Sequence, residues 1–292
     1  MEIGMPSTDP IVRDFALALT AEGKKPKTVR TYTDAANWLQ RTQGVDDWSG
    51  VKRSHVRSHI ALILEDHSPA YASNQFRALQ QFFKFLEAEE DIKNPMSGMK
   101  PPTMPQKLVP VIANDEWSKL IETCSTKRFN DQRDKAIFEF FRATGARRSE
   151  VAGLRITDVD LEQLCAIVTG KASKMRIVRF DAATGLALSR YLRARKTRKH
   201  ASSEILWIGG YGPLTSDGIY QMFGRRGEKA GVEINPHRFR HDFSHRYLLN
   251  GGQESDLMSQ NGWSSASMLR RYGASAAAER ARKHYDKVMN KN

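Results

Sequence analysis

Five short segments between residues 144 and 275 hold the side chains that could do chemistry. They are TGARRSE (144–150) with Arg147, GKASKMR (170–176) with Lys171, HRFRH (237–241) with His237 and Arg240, GW at 262–263, and RRY at 270–272, ending on Tyr272. These residue types suit attack on a phosphodiester. The attack builds negative charge on the non-bridging oxygens, and pre-placed guanidinium forks answer it with charge-assisted hydrogen bonds. Arg147 and Arg240 are expected to form that clamp. A Tyr hydroxyl is a weak nucleophile at its ordinary pKa of about 10, so Tyr272 needs cations or a base beside it. His237, three residues before Arg240 on one helical face, is the candidate base and returns the proton on rejoining. Lys171, at the tip of an expected hairpin, could protonate the departing 5′-oxygen. A covalent intermediate conserves the bond energy, so neither ATP nor a metal is expected.

Plainer readings compete at several positions. A helical Tyr usually packs in a core, but Arg270, Arg271 and Gly273 around Tyr272 favour a phosphate-facing setting. Trp263, between Gly and Ser, reads alone as packing. His237, His241 and His245 share one face and could suggest zinc, yet no Cys or acid nearby completes a tetrahedral set. Lys174 competes with Lys171 for the acid role. Arg148 falls on the other helical face. The run RARKTRK (193–199) reads as a solvated face or a DNA-backbone contact.

In order and spacing the five segments resemble the tyrosine recombinase (phage integrase) family, whose members include Xer, Cre and lambda-integrase proteins. The family pattern TGxRxSE matches Thr144 to Glu150, GKGxKxR matches Gly170 to Arg176 except that Ala172 replaces the middle glycine, and HxxRH matches His237 to His241. The intervals agree as well: 24 residues from Arg147 to Lys171 and nine from Trp263 to Tyr272. Trp263 stands where the family usually has His; Cre-like members also carry Trp there, and an indole N–H can donate to a phosphate oxygen although it cannot titrate.

The resemblance implies catalytic Arg147, Lys171, His237, Arg240, Trp263 and Tyr272. It also implies a supporting carboxylate at Glu150 and a 3′-phosphotyrosyl intermediate formed without cofactor. The interval favours Lys171 as the acid and leaves Lys174 and Arg176 to DNA phosphates. The implied partners are double-stranded recombination sites, bound by a homotetramer on paired sites, with a monomer or weak oligomer in the absence of DNA. Two rivals remain: a type IB topoisomerase, and a DNA-binding regulator with a decayed site.

The elements that must position these residues are mostly helical. Asp9-Pro10 can cap a first helix carrying Ile11, Phe15 and Leu19. Further helix starts appear at Thr28, around Ser54 and at Ser68-Pro69, giving a four-helix unit over 1–93 that is similar to the family's core-binding, SAM-like domain. Residues 94–110 hold five prolines and read as an extended linker. Residues 111–292 read as a mixed α+β catalytic domain of the tyrosine recombinase fold. It has a helix from Asn114, another over about 131–143 ending at Gly145, and two strands, CAIVTG and RIVRF, around a KASK turn. The fold class is therefore mainly α with a small β-hairpin. The last helix, 275–290, carries Ala277, Ala281, Tyr285 and Val288 and packs either in cis or on a neighbouring subunit. A first helix near residue 10 leaves no room for an additional arm-binding domain.

Composition agrees with a polyanionic partner. The chain has 46 Lys and Arg against 33 Asp and Glu, net +13, and the excess is lopsided: residues 1–110 carry net +1 and residues 111–292 net +12. No apolar run approaches the roughly 18 residues of a membrane span, and no signal peptide is visible. The expected location is the cytoplasm, associated with the nucleoid. Cys124 and Cys165 lack CxxC spacing and suggest neither a disulfide nor zinc.

Overall fold

The computed structural model describes residues 9–104, 110–170, 173–265, 268, 269, 281, 282, 285, 286 and 289. The chain divides into two compact units, 1–107 and 108–292.

Among the described residues, four α-helices build the first unit: α1 (Pro10–Ala21), α2 (Pro26–Gln43), α3 (Arg53–Asp66) and α4 (Pro69–Glu89). Proline opens α1, α2 and α4, where its missing N–H costs nothing and its fixed φ suits the first turn. For that reason α2 starts at Pro26 and not at Thr28. Asp9 does more than cap. One carboxylate oxygen accepts the Ile11 and Val12 amides at 2.9 and 3.2 Å, while the other accepts Gln40 Nε2 at 2.7 Å and Trp48 Nε1 at 2.9 Å. The apolar faces close on Phe15, Leu39, Trp48, Phe76, Phe82 and Phe83, with Phe82 edge-on to both Phe15 and Trp48.

Part of the stretch expected to be linker is folded onto this unit. Met96 is buried, and the Arg53 guanidinium donates to the Pro95 and Ser97 carbonyls at 3.4 and 2.6 Å. The first unit therefore extends past residue 93. Its apolar anchor, a single Met among prolines, has no periodic pattern to announce it.

Among the described residues, seven helices and two small sheets make up most of the second unit. The helices are α5 (Asn114–Glu122), α6 (Phe129–Thr144), α7 (Arg148–Ala152), α8 (Ala182–Arg195), α9 (Ser216–Ala230), α10 (Pro236–Leu249) and α11 (Glu254–Asn261). Strands β1 (Val159–Asp160), β2 (Cys165–Thr169) and β3 (Met175–Arg179) form an antiparallel sheet in that order, and β4 (Ile208–Gly209) pairs with β5 (Gly212–Pro213). In β2 and β3, Ile167 lies opposite Ile177 and Val168 opposite Arg176. Alternation sends Ala166, Val168 and Val178 into the core and leaves Ile167, Met175 and Ile177 outside. The hairpin is thus one strand short of the sheet. β1 is joined to it by a turn in which the Asp160 carboxylate accepts the Glu162 and Gln163 amides.

Helix α6 runs through the middle, with Ile137, Phe138, Phe140 and Phe141 fully buried. Phe138 and Phe141 meet Phe223 of α9 and Phe239 of α10 in one aromatic cluster. Buried charge is matched: Arg226 of α9 reaches Asp131 and Asp134 at 2.7 Å, and Arg133 also holds Asp134 at 2.7 Å. Arg238 ties α10 to the carbonyls of Pro110 and Val111 and to Glu116. Among the described residues no helix is long and apolar enough to cross a membrane.

Candidate active site

The site lies where α6, α7, β3, α10 and α11 meet. Helix α6 ends on Gly145, whose φ of +59° needs a residue without a side chain. The chain then turns at once into α7, with Arg147 as the residue before its first turn. Glu150, at the third helical position, accepts the Arg147 amide at 2.7 Å, the reciprocal half of a capping box. The same carboxylate accepts the Arg147 guanidinium at 2.9 Å.

Glu150 is 2% exposed. Arg176 of β3 grips both of its oxygens, at 2.8 and 2.8 Å, and passes a third bond to the Gln260 carbonyl. Burial raises the Glu150 pKa, but the hydrogen bonds from Arg176 and the Arg147 amide, with the Arg176 charge, outweigh it and hold the group down at about 2. Arg176 was expected on DNA phosphates. Its fork is engaged by the Glu150 carboxylate, which it shares with Arg147, and by the Gln260 carbonyl. Lys174 is exposed beside it, and its carbonyl accepts the Gly170 amide at 2.8 Å.

Arg240 comes from the buried face of α10, a helix capped by Asn235 and opened by Pro236. Its guanidinium donates to the Gly145 carbonyl at 2.8 Å and to the Asn261 carbonyl at 2.6 Å. Arg147 donates to the next carbonyl in the chain, that of Gly262, at 3.2 Å. Consecutive peptide oxygens thus hold the two forks, which fixes both guanidiniums at one place. Trp263 follows directly, 7% exposed, with the Arg240 guanidinium 5.3 Å from its ring centroid. On α10, His237 is exposed and its ring stands edge-on to that of His241 at 4.8 Å. Among the described residues no group of three His, Cys, Asp or Glu is placed to hold a metal.

The structure therefore brings together Arg147, Glu150, Arg176, Arg240 and Trp263, and places His237 one turn from Arg240 on α10. Lys171 and Tyr272 lie outside the described residues; so does most of 275–290, of which Ala281 and Tyr285 are exposed. Sequence reasoning missed Asn261. It is fully buried, offers its carbonyl to Arg240, and donates from Nδ2 to Ser244 Oγ at 3.2 Å, while Ser244 caps the Arg240 carbonyl at 2.8 Å. A polar residue just before Gly262 was the available signal. Two guanidiniums pinned side by side, with a tethered carboxylate behind them, can hold two oxygens of one phosphate in a fixed orientation.

Such a site on this fold defines a phosphoryl-transfer enzyme, and comparison with known proteins gives the particular kind. The model of the phage integrase family matches residues 110–279. The chain is 28% identical over 282 residues to tyrosine recombinase XerC of Myxococcus xanthus, covering 92% of this chain and 94% of that one. It is 31% identical over 242 residues to tyrosine recombinase XerD of Corynebacterium glutamicum, covering 78% of each. The structure of the Tn1549 transposon integrase in complex with transposon right end DNA superposes with a TM-score of 0.76 at 19% identity, over 96% of this chain and 99% of that one. The chain belongs to the phage integrase family. Its activity is that of a tyrosine recombinase, site-specific recombination by cleavage and rejoining of DNA strands.

Proposed function

We propose that Arg147 and Arg240 clamp the scissile phosphate of a duplex recombination site while Tyr272 attacks it. A Tyr272 Oη–phosphorus bond forms at the 3′ side and the bond to the 5′-oxygen breaks. His237 takes the Tyr272 proton, Lys171 delivers one to the 5′-oxygen, and rejoining reverses both transfers. Trp263 donates its indole N–H to a phosphate oxygen, Glu150 and Arg176 orient Arg147, and Lys174 contacts the DNA backbone. The observation that carries this reading is the seating of Arg147 and Arg240 on the consecutive carbonyls of Gly262 and Asn261. Cleavage needs no ATP or metal, because the phosphotyrosyl bond keeps the energy of the phosphodiester.

The partner is double-stranded DNA; in support, a solved integrase is in complex with transposon right end DNA and a lambda integrase dimer is bound to a core site. The active assembly is a homotetramer on two paired sites, and the chain without DNA is a monomer or weak oligomer. It works in the cytoplasm, on the nucleoid.

A supercoiled plasmid carrying two copies of the site flanking the gene tests this. Recombinant circles are the expected product. Relaxation without recombinants would point to a type IB topoisomerase, and tight binding with neither product to a DNA-binding regulator.

A further inference from the structure

The end of α6 remote from Arg147 carries two adjoining clefts that this chemistry does not use. One, of 610 Å³, opens between the α5–α6 connection and α8. Lys127, Lys135, Arg190 and Arg193 ring it, above a floor that includes Ala187 and Ala194. The other, of 440 Å³, holds Arg128, Arg198 and Lys199. Lys127 and Arg128 are chain neighbours, so the clefts abut. Among the described residues no Asp or Glu lines either one. Asp131 and Asp134, close by in sequence, are held by Arg226 and Arg133, and among the described residues none of the seven cations makes an ion pair. Between the clefts, Phe129 carries the Arg198 guanidinium 4.5 Å from its ring centroid, which fixes the direction of that fork.

Seven cations with no acid among the described residues lining their clefts repel one another, although Glu139, one turn along α6, partly offsets Lys135, and an external polyanion relieves that strain. Four of the seven are arginines, whose planar forks match phosphate oxygens. The 16 residues of α6 span about 24 Å at the helical rise, so a strand held at Arg147 lies a helix length away.

We propose that the double cleft is a second DNA contact, holding the phosphate backbone of a duplex segment other than the one at the active site, without reading its sequence. The choice of nucleic acid over an acidic peptide rests on the recombinase reading; the charge and shape of the clefts do not.

The test is the salt dependence of binding of the full chain to a duplex that lacks the recombination site, for wild type and for the triple variant Lys127→Glu, Arg190→Glu, Arg193→Glu. The variant is expected to bind at least tenfold more weakly at low salt and to lose about three from the slope of log K against log salt. A glutamine triple variant with intermediate loss guards against misfolding. Unchanged affinity and slope overturn the proposal, as does tighter binding of a charge-matched polyglutamate than of the duplex. Cleavage of a nicked substrate, measured alongside, is expected to persist in the variant. Its absence in wild type would sink the reaction reading, while the slope difference would still report on the clefts.

Discussion

Glu150 has no solvent to support its charge, so its ionised form depends on Arg176 and Arg147. Replacing it with Gln removes the charge that both forks answer while keeping the volume. Glu150→Gln is expected to slow strand cleavage by about tenfold to a hundredfold, the size of a small misplacement of a catalytic group. Its DNA affinity should change much less; an unchanged single-turnover rate would show that Arg147 needs no such support. Arg176→Gln should act in the same direction, which a role in DNA contact alone would not produce, because saturating DNA would then restore the rate. A second buried ionisable group lies in the first unit. Thr42 Oγ1 donates its only proton to the Trp38 carbonyl at 2.9 Å, so at 2.8 Å it accepts from His59 Nδ1–H. Nε2 of His59 is then the bare nitrogen, buried and unpartnered among the described residues, and burial lowers the His59 pKa from 6.5 to about 4. Between those values the unfolded chain binds the extra proton, so this contribution is complete above pH 6.5 and is lost as pH falls toward 4. Up to ~3 kcal/mol is at stake, read as a falling urea midpoint from pH 7 to 5. His59→Gln should flatten that fall, and an equal fall in the variant would contradict the assignment. Residue types and intervals made Arg147, Glu150 and Arg240 legible in the sequence. The partners of Arg176 were not, because a contact between β3, α7 and α11 leaves no trace in local pattern.

Between elements, the turn at Gly145 matters most. A methyl group there would stand 2.5 Å from the Phe243 ring and 3.1 Å from Asn261 Oδ1, at a φ that side chains avoid. Gly145→Ala is therefore expected to cost ~2–4 kcal/mol and to displace the carbonyl that seats Arg240, lowering cleavage as well as the Tm. Gly224, inside α9 with open space around it, should behave oppositely, Ala there adding ~0.5–1 kcal/mol. An unchanged or raised Tm for Gly145→Ala would contradict the close packing at the α6–α7 turn, and a lowered Tm for Gly224→Ala would contradict the open space around that position. Long helices with caps and an apolar face were readable: α1 and α4 begin where Asp9 and Ser68 predict. The β2–β3 hairpin was readable from alternation. Two-residue strands such as β1, β4 and β5 carry no period, and Met96 docks by tertiary contact alone, so sequence pattern could not show them.

At the scale of the whole molecule, charge and site fall in the same unit. The net +12 of residues 111–292, against +1 before them, assigns most phosphate contacts to the unit that holds Arg147 and Arg240. DNA affinity should therefore fall steeply with salt, and the second-unit cations should account for most of the slope. Beyond affinity, the two pinned arginines are expected to serve an attack by Tyr272. A duplex carrying the recombination site and nicked beside the scissile phosphate loses its short 5′ fragment on cleavage, which traps the covalent intermediate. On a denaturing gel, wild type should give a protein–DNA band, and peptide mapping should place the nucleotide on Tyr272. Tyr272→Phe should give none while still binding the duplex. A covalent band that survives Tyr272→Phe, or tight site-specific binding by wild type with no band, would contradict the account.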